Sequence, residues 1–386
     1  MAVPLKYNVR NLFVRRVSTG MTIFSIGLVV STFVSLMALA QGLQRTLVVS
    51  GNPANAILLR KGGISEAASA ITQDQYQIVR YAPEIAAAGD RETLASPEVA
   101  VQMLLTRKDG KKANVLVRGV RPVAFQVHDG VRVLRGAPLA PRRGQILAGK
   151  AVAERYAGLD VGGSIRFGRR QWPVVGVFES GGSAFESEIW ADADDLLDDF
   201  KRTYYNSMIV RLKDASLLAS LSARIDADPR LALDVKSETS YYSQQAEGVQ
   251  WMRTLGMGIA ILMAIGAVFA AMNTMYAAIG SRTKEIGTLR ALGFSRGSIL
   301  LSFLVESILL ALPGGILGCL LALPLNGLRS GTINMASFSE VMFEFTITPA
   351  ICLQGIAFAV VMGAFGGFLP ARRAATVPIL TALREL

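Results

Sequence analysis

Apolar residues along the chain are gathered into four long runs, separated by polar stretches of very unequal length. The runs cover about residues 19–40, 255–279, 299–323 and 349–369. Each is long enough to cross the hydrocarbon core of a bilayer, which takes ~20 helical residues. The pattern therefore predicts an α-helical membrane protein with four transmembrane helices.

The longest polar stretch follows the first span and mixes strand and helix patterns. Residues 99–106 and 113–120 alternate in polarity around Asp109-Gly110, which predicts a hairpin. Later segments alternate between short strands and short helices, and the last helix leads into the second span. The whole stretch predicts a mixed α/β domain inserted between spans 1 and 2, on the extracytoplasmic side.

Basic residues are concentrated beside the spans. The chain has 40 Lys+Arg and 29 Asp+Glu, but residues 43–250 account for 27 and 24 of these. The rest of the basic residues lie mainly before span 1, between spans 2 and 3 and after span 4. The positive-inside rule therefore predicts that both termini are cytoplasmic and that the inserted domain lies on the opposite side of the membrane. This distribution gives no basic face for nucleic acid, so no nucleic-acid partner is expected.

Residues next to the spans suggest contacts with the membrane surface. Leu5, Val9, Leu12 and Phe13 share one face among basic neighbours, which predicts an amphipathic interfacial helix over residues 1–18, with a simple cytosolic cap as the alternative.

Three aromatic residues stand just before span 2. Tyr241, Tyr242 and Trp251 fit either the headgroup layer or packing against the inserted domain, and their positions in the sequence do not distinguish the two.

Several apparent catalytic or ligand motifs are not supported. Gly144 to Lys150 matches the phosphate-loop spacing, but Ala151 stands where a magnesium-binding Ser or Thr is needed. His128 is the sole histidine and is expected in a loop, and the two cysteines lie in spans, so no His/Cys metal or nucleophile site can be built in the inserted domain. We therefore expect no catalytic residue, no metal site and no cofactor in this chain.

Five aspartates between residues 192 and 199 are a further candidate. They lack the glycine and terminal glutamate of a calcium loop and are spaced as in a helix, so we predict a solvated helix face that Asp192 caps.

The spans contain small residues at helix-packing spacing and one acid. Gly314 and Gly318 in span 3, and Gly363 and Gly367 in span 4, form G-x-x-x-G pairs that allow close helix approach, within the chain or in a dimer. Glu306 lies inside span 3, where an ionisable group is costly. Because no second intramembrane acid or base accompanies it, we predict a structural or dimer contact rather than a proton relay.

The loop between spans 2 and 3 has the most specific sequence. Residues 281–295 read S-R-T-K-E-I-G-T-L-R-A-L-G-F-S, which predicts a short helix that Gly293 closes. This run resembles the signature of FtsX/MacB-type permeases of ABC transporters, a family that includes MacB and the lipoprotein-release permeases LolC and LolE. The P-A-R-R-A-A segment at residues 370–375 resembles the family's closing motif, and residues 144–195 are similar to the MacB-type periplasmic domain.

The resemblance implies a non-catalytic permease subunit that works as a homodimer or heterodimer, with one ABC ATPase subunit bound to each copy. ATP and magnesium would be held by that ATPase. The loop helix would be the coupling helix, and the partner contacts implied by the motif are Arg282, Glu285, Ile286, Leu289 and Arg290. ATP hydrolysis would then move the periplasmic domains, an action called mechanotransmission.

The resemblance also implies a bacterial inner-membrane location and membrane lipids as surroundings. Lipoproteins, lipids or amphipathic compounds are the expected cargo, with a periplasmic adaptor or a lipoprotein as a further partner. The alternative is an FtsX-like signalling permease that regulates an extracytoplasmic enzyme. The expected organisation is as follows: interfacial helix 1–18, span 1 at 19–42, periplasmic domain 43–250, span 2 at 251–280, coupling loop 281–297, spans 3 and 4 at 298–371, and tail 372–386.

Overall fold

A computed structural model of the protein describes residues 16–89 and 92–378, which form two compact units. The helical unit comprises residues 16–41, 250–328 and 345–378. The inserted unit comprises residues 42–249 and 329–344. The predicted interfacial helix over residues 1–18 and the end of the tail lie almost wholly outside the described residues.

The elements in chain order are these. The helices are α1 (Arg16–Val49), α2 (Gln73–Val79), α3 (Ala124–Val127), α4 (Lys150–Arg155), α5 (Ala193–Phe200), α6 (Leu218–Ala227), α7 (Glu238–Glu247), α8 (Gln250–Gly280), α9 (Thr283–Ala291), α10 (Arg296–Ala322) and α11 (Pro349–Thr376). The strands are β1 (Asn55–Arg60), β2 (Ile71–Thr72), β3 (Ala87–Ala88), β4 (Glu92–Thr93), β5 (Ala95–Thr106), β6 (Lys112–Val120), β7 (Arg132–Gly136), β8 (Ile146–Gly149), β9 (Ser164–Phe167), β10 (Arg170–Glu179), β11 (Ile189–Asp192), β12 (Tyr204–Tyr205), β13 (Ser207–Arg211), β14 (Leu233–Ser237), β15 (Arg329–Asn334) and β16 (Ser339–Glu344).

Within the described residues, four helical stretches are long and apolar enough to cross a membrane. They are Arg16–Val49, Glu238–Gly280, Arg296–Leu325 and Pro349–Thr376, and each contains one of the four predicted runs. Local sequence sets two of their starts, because Ser295 caps α10 by accepting from the Ser298 amide, and Thr348 caps α11 by accepting from the Ile351 amide. The predicted fold class, four transmembrane helices with an α/β domain between the first two, is confirmed.

The inserted unit is built on a ten-stranded mixed sheet. Its strand order is β14-β1-β13-β5-β6-β11-β8-β10-β7, and β9 pairs with β10. The β6–β11 and β8–β10 pairs are parallel, and the other pairs of this sheet are antiparallel. The predicted hairpin over residues 99–120 is confirmed, since Val99 pairs with Gly119 and Thr106 with Lys112.

Both faces of the sheet are covered by apolar packing, which β1 shows clearly. Ala56 and Leu58 belong to the core on one face, whereas Ile57 and Leu59 belong to the core on the other. All four are at most 1% exposed. Because successive side chains point to opposite faces, a strand buried on both sides has a continuous apolar run rather than an alternating one.

The aspartates of α5 depart from the prediction of a solvated face. Asp192 caps the helix as expected, accepting from the Asp194 and Asp195 amides. Asp195 and Asp199, however, are only 7% and 5% exposed. Asp195 accepts from the Gly144 amide at 2.7 Å, and Asp199 accepts from the Arg169 amide. These aspartates therefore fasten two loops of the inserted unit, and helical spacing alone could not show that the face was covered.

The aromatic residues before span 2 divide between the two interpretations left open by the sequence. Tyr241 and Tyr242 are buried in the inserted unit, with their rings 5.3 Å apart. Trp251, at the start of α8, is 56% exposed. Only the tryptophan is therefore available to a headgroup layer.

Candidate functional site

The helix between spans 2 and 3, α9, has nine residues and ends before Gly293, whose φ is +95°. Its inner face is fixed by Ile286, which is 2% exposed and packs with Met275, Ile299 and Ala374 of the neighbouring helices. A short helix needs such packing, because its own hydrogen bonds do not stabilise it in isolation. The described contacts therefore seat α9 firmly on the helical unit.

The five residues predicted to contact a partner occupy different places on α9. Glu285 lies on the exposed face, and Leu289 is half-buried. Ile286 and Arg282 are turned into the chain, and Arg290 donates to the Ala375 carbonyl at 2.8 Å. The side chains of Ile286 and Arg282 make contacts within the chain, because a helix joining two spans must use one face to pack on its own bundle, and the partner contacts of the five residues stay predictions.

The exposed face of α9 contains residues that the sequence reasoning missed. Lys284 and Thr288 are exposed beside the predicted Glu285, and Leu292, just after the helix, is 69% exposed. A large apolar side chain ringed by polar residues is a common feature of protein contact sites. The sequence spacing could have indicated Leu292 as part of this face, since Leu292 follows Thr288 by one helical turn.

Glu306 of α10 has its charge partner in the same chain. The Arg282 guanidinium Nη1 lies 3.2 Å from Glu306 Oε2, and it stacks over the Phe303 ring at 5.3 Å. Arg282 also bonds Glu285 at 3.0 Å. The ion pair thus connects the buried acid of span 3 to the start of α9.

The paired glycines of the spans lie against other helices of the same chain. A Cβ at Gly318 would be 2.6 Å from the Val30 Cβ, and one at Gly363 would be 2.5 Å from the Ala311 Cβ. Gly314 faces Ile26, and Gly367 faces the Ser307 hydroxyl. These positions leave room for backbone contact between helices within the helical unit, as small residues do in membranes.

The inserted unit contains a buried charge cluster centred on Arg118 of β6. Its guanidinium is 2% exposed and donates to three carboxylates. Glu188 accepts two bonds at 2.7 and 2.8 Å, Glu66 accepts at 2.8 and 3.1 Å, and Glu98 accepts at 2.6 Å. The Trp190 indole also donates to Glu188 at 3.1 Å. Buried charges are tolerated only with such complete pairing.

The cluster extends to the sole histidine, which lies in a loop, as predicted, directly after α3, and is buried. His128 Nε2 lies 2.8 Å from Glu98 Oε1, and Nδ1 lies 3.8 Å from Glu238 Oε1. Burial alone lowers the pKa of His128, but the charge and hydrogen bond of Glu98 outweigh burial and raise it. Burial raises the pKa of Glu98, whereas His128 and Arg118 outweigh it and hold that pKa at about 2. The cluster therefore favours a charged Glu98–His128 pair.

A cavity beside this cluster has a volume of only about 30 Å³. Arg118, Glu66, Tyr241 and Gln245 line it, together with β15–β16 residues. Pockets for drug-sized molecules occupy roughly 300–1,000 Å³. The charge cluster thus fits an internal structural role better than a small-molecule site.

Charged residues inside otherwise apolar strands indicate this cluster in the sequence. Arg118 interrupts the apolar run of β6, and Glu98 interrupts the run of β5. A charge inside a buried strand demands partners, but those partners, Glu66 and Glu188, are 52 and 70 positions away from Arg118. Sequence spacing could not pair them.

Two family descriptions match the chain and together cover most of it. Residues 19–228 match the MacB-like periplasmic core domain, and residues 257–379 match the FtsX-like permease C-terminal domain. The chain therefore belongs to the MacB/FtsX family of permeases, as the sequence motifs predicted, and is a multi-pass inner-membrane protein.

Individual relatives support the same assignment. A macrolide export ATP-binding/permease protein MacB of Brucella melitensis is 26% identical and aligns over 92% of this chain and 56% of the relative. The MacB of Photorhabdus laumondii is 27% identical over 75% of this chain and 46% of its own length. The chain thus spans about half the length of these relatives.

Among solved structures, the periplasmic region of MacB from Actinobacillus actinomycetemcomitans has a TM-score of 0.39 at 13% identity, covering 51% of this chain and 94% of that one. The extracellular domain of the noncanonic ABC-type transporter YknZ from Gram-positive bacteria has a TM-score of 0.37 at 16% identity, covering 47% of this chain and 99% of that one.

Proposed function

We propose that this protein is the permease subunit of a MacB-type ABC transporter, driven by an ATPase on a separate chain. Two permease copies and two ATPase subunits would form the complex, with ATP and magnesium held by the ATPases. Both termini and α9 would face the cytoplasm, and the inserted unit would face the periplasm. The basic residues beside the spans support this orientation.

The observation that carries the proposal is the two-faced construction of α9. Ile286 and the Arg282–Glu306 ion pair seat it on the helical unit, while Glu285, Thr288 and Leu292 are left exposed. A partner that pushes on this face would move α8 and α10 together, because α9 joins them directly. Such an arrangement suits the transfer of an ATPase movement to the spans.

The cargo we propose is an amphipathic compound, a lipid or a lipoprotein, moved from the periplasmic side by motion of the inserted unit. The macrolide-export function in the names of the relatives favours the first of these. The alternative, regulation of an extracytoplasmic enzyme, has no separate observation in its favour.

The proposal is tested by looking for ATP-driven motion of the inserted units. The side chain of Lys61 is 64% exposed, so position 61 can carry a spin label without disturbing the core. The complex with its ATPase is placed in lipid nanodiscs, and the distance between the labels of two copies is measured with ADP and with ATP plus vanadate. We expect two different distance distributions. Identical distributions in a complex that hydrolyses ATP would contradict the coupling.

A further inference from the structure

The loop between spans 3 and 4 forms a hairpin, β15–β16, that the sequence did not predict. Arg329 pairs with Glu344 and Asn334 with Ser339 at its two ends. Although it connects two helices of the helical unit, the hairpin belongs to the inserted unit. The chain therefore passes between the units four times, at residues 41–42, 249–250, 328–329 and 344–345.

A buried carboxylate fastens this hairpin. Glu340 is 2% exposed and accepts two bonds from the Arg107 guanidinium, at 2.7 and 3.0 Å. Arg155 lies 3.2 Å from the same carboxylate, and the Tyr156 hydroxyl donates to it. Bidentate arginine–carboxylate pairs are among the strongest and most directional polar contacts in proteins.

Apolar packing and backbone contacts complete the attachment. Val341, Met342 and Phe343 are at most 6% exposed, and Met342 joins the main core of the inserted unit. The Met342 amide donates to the Ser187 hydroxyl at 2.8 Å, and Asn114 donates to the Phe338 carbonyl at 3.2 Å.

A simple connection between two spans needs none of these contacts. Antiparallel helices are commonly joined by about 2–8 residues. Burying a carboxylate has a desolvation cost of several kcal/mol, which only complete pairing offsets. Here the buried acid is on the span 3–4 loop, whereas Arg107, Arg155 and Tyr156 are on the domain inserted between spans 1 and 2. The contact thus connects the span 3–4 loop to the domain inserted between spans 1 and 2.

We propose that the β15–β16 hairpin is a strut that remains locked to the inserted unit while the transporter works, with Glu340 as its positioning residue. Movement of α10 and α11 would then reach the inserted unit directly, in addition to movement delivered through α1 and α8. This inference rests on the proposed function, because it concerns how ATP-driven motion is transmitted.

The test uses the spin-label assay with a label attached at position 61 through a genetically encoded azido amino acid. Glu340→Gln keeps the size of the side chain but removes its charge. Glu344→Gln is the matched control, since Glu344 lies in the same hairpin with its side chain 52% exposed. We expect Glu340→Gln to retain ATPase binding and hydrolysis but to lose at least half of the ATP-dependent population shift, and Glu344→Gln to behave as the wild type.

A covalent clamp provides the second arm and does not depend on a weakened variant. In a chain with Cys319 and Cys352 replaced by Ser, Asn114→Cys and Phe338→Cys are bridged by a short bis-methanethiosulfonate reagent. We expect the bridge to leave the wild-type shift intact and to restore the shift to Glu340→Gln.

Two results would contradict the proposal that the hairpin acts as a strut. One is a full shift in unbridged Glu340→Gln, and the other is loss of the shift when the hairpin is bridged in an otherwise wild-type chain. Absence of any shift in the wild type would instead contradict the proposed function, and the strut with it, so the two failures are distinguishable.

Discussion

Replacing Arg118 by methionine should destabilise the inserted unit far more than removing an ordinary surface arginine. Glu66, Glu98 and Glu188 would be left buried together without their shared cation, and each lies within 2.8 Å of the guanidinium at its closest atom. Breaking a buried ion pair by removing one partner costs about 3–5 kcal/mol. For a unit of this size each kcal/mol lowers Tm by roughly 2–4 °C, so we expect a fall of about 6–20 °C.

Arg142→Met is the matched control. Its side chain is 74% exposed and lies 3.2 Å from Asp194, which also pairs with Arg121 and so keeps a cation in the variant. Exposed ion pairs contribute about 0–1 kcal/mol, so this variant should lose less than about 4 °C. Both variants remove one positive charge and add the same side chain.

Thermal unfolding of the full-length protein in detergent, followed by tryptophan fluorescence, measures the difference. Trp172 and Trp190 are fully buried in the inserted unit, and the Trp190 indole touches the cluster through Glu188. The fall in Tm caused by Arg118→Met should become smaller as the pH falls, because the pKa of Glu98 is lowered to about 2 in the folded protein. Its stabilising contribution is present above its ordinary pKa of 4.5 and is lost as the pH falls toward 2. A fall in Tm no larger than that of Arg142→Met, or one that is the same at every pH, would refute the reasoning.

Two other predictions follow from the structure. Glu98 raises the pKa of His128 above 6.5, so the protonated histidine stabilises the inserted unit below pH 6.5, and this contribution is lost as the pH rises through the raised pKa. His128→Gln should therefore flatten the decline of Tm above pH 6.5. An unchanged dependence of Tm on pH would contradict the Glu98–His128 pairing. Gly318→Leu should lower the free energy of unfolding by at least about 1–3 kcal/mol through overpacking against Val30. Gly266→Leu, at a site with open space around it, should be tolerated in the same detergent unfolding assay. Equal effects of the two variants would contradict the helix packing.

The spans and strands such as β5 and β6 were predictable because their signals are local. An apolar run of span length has few other stable states, and the β5–β6 hairpin has its turn residues directly between its strands. The short helix α9 was predictable for the same reason, since Gly293, whose positive φ closes it, lies at the end of its own segment.

The parts that were missed depend on residues distant in sequence. Glu340 meets Arg107 across 233 positions, and nothing near either residue shows that the span 3–4 loop joins the inserted unit. The packed face of α9 could not be identified from the sequence, because helical spacing gives which residues share a face but not which face the bundle covers. Ile286 and Leu292 could be distinguished only by the packing of the neighbouring helices.

The most direct test of the central claim is capture of the ATPase by the exposed face of α9. The tagged chain is purified from its native membranes in mild detergent, and the subunits of the complex are counted by native mass spectrometry. Leu292→Asp changes the exposed apolar residue of the proposed contact, and Leu104→Asp makes the same change at a site in the inserted unit that is 62% exposed. We predict two ABC ATPase subunits per permease dimer for the wild type and for Leu104→Asp, and loss of the ATPase from Leu292→Asp. Absence of an ABC ATPase from the wild-type complex, or equal capture by both variants, would contradict the account.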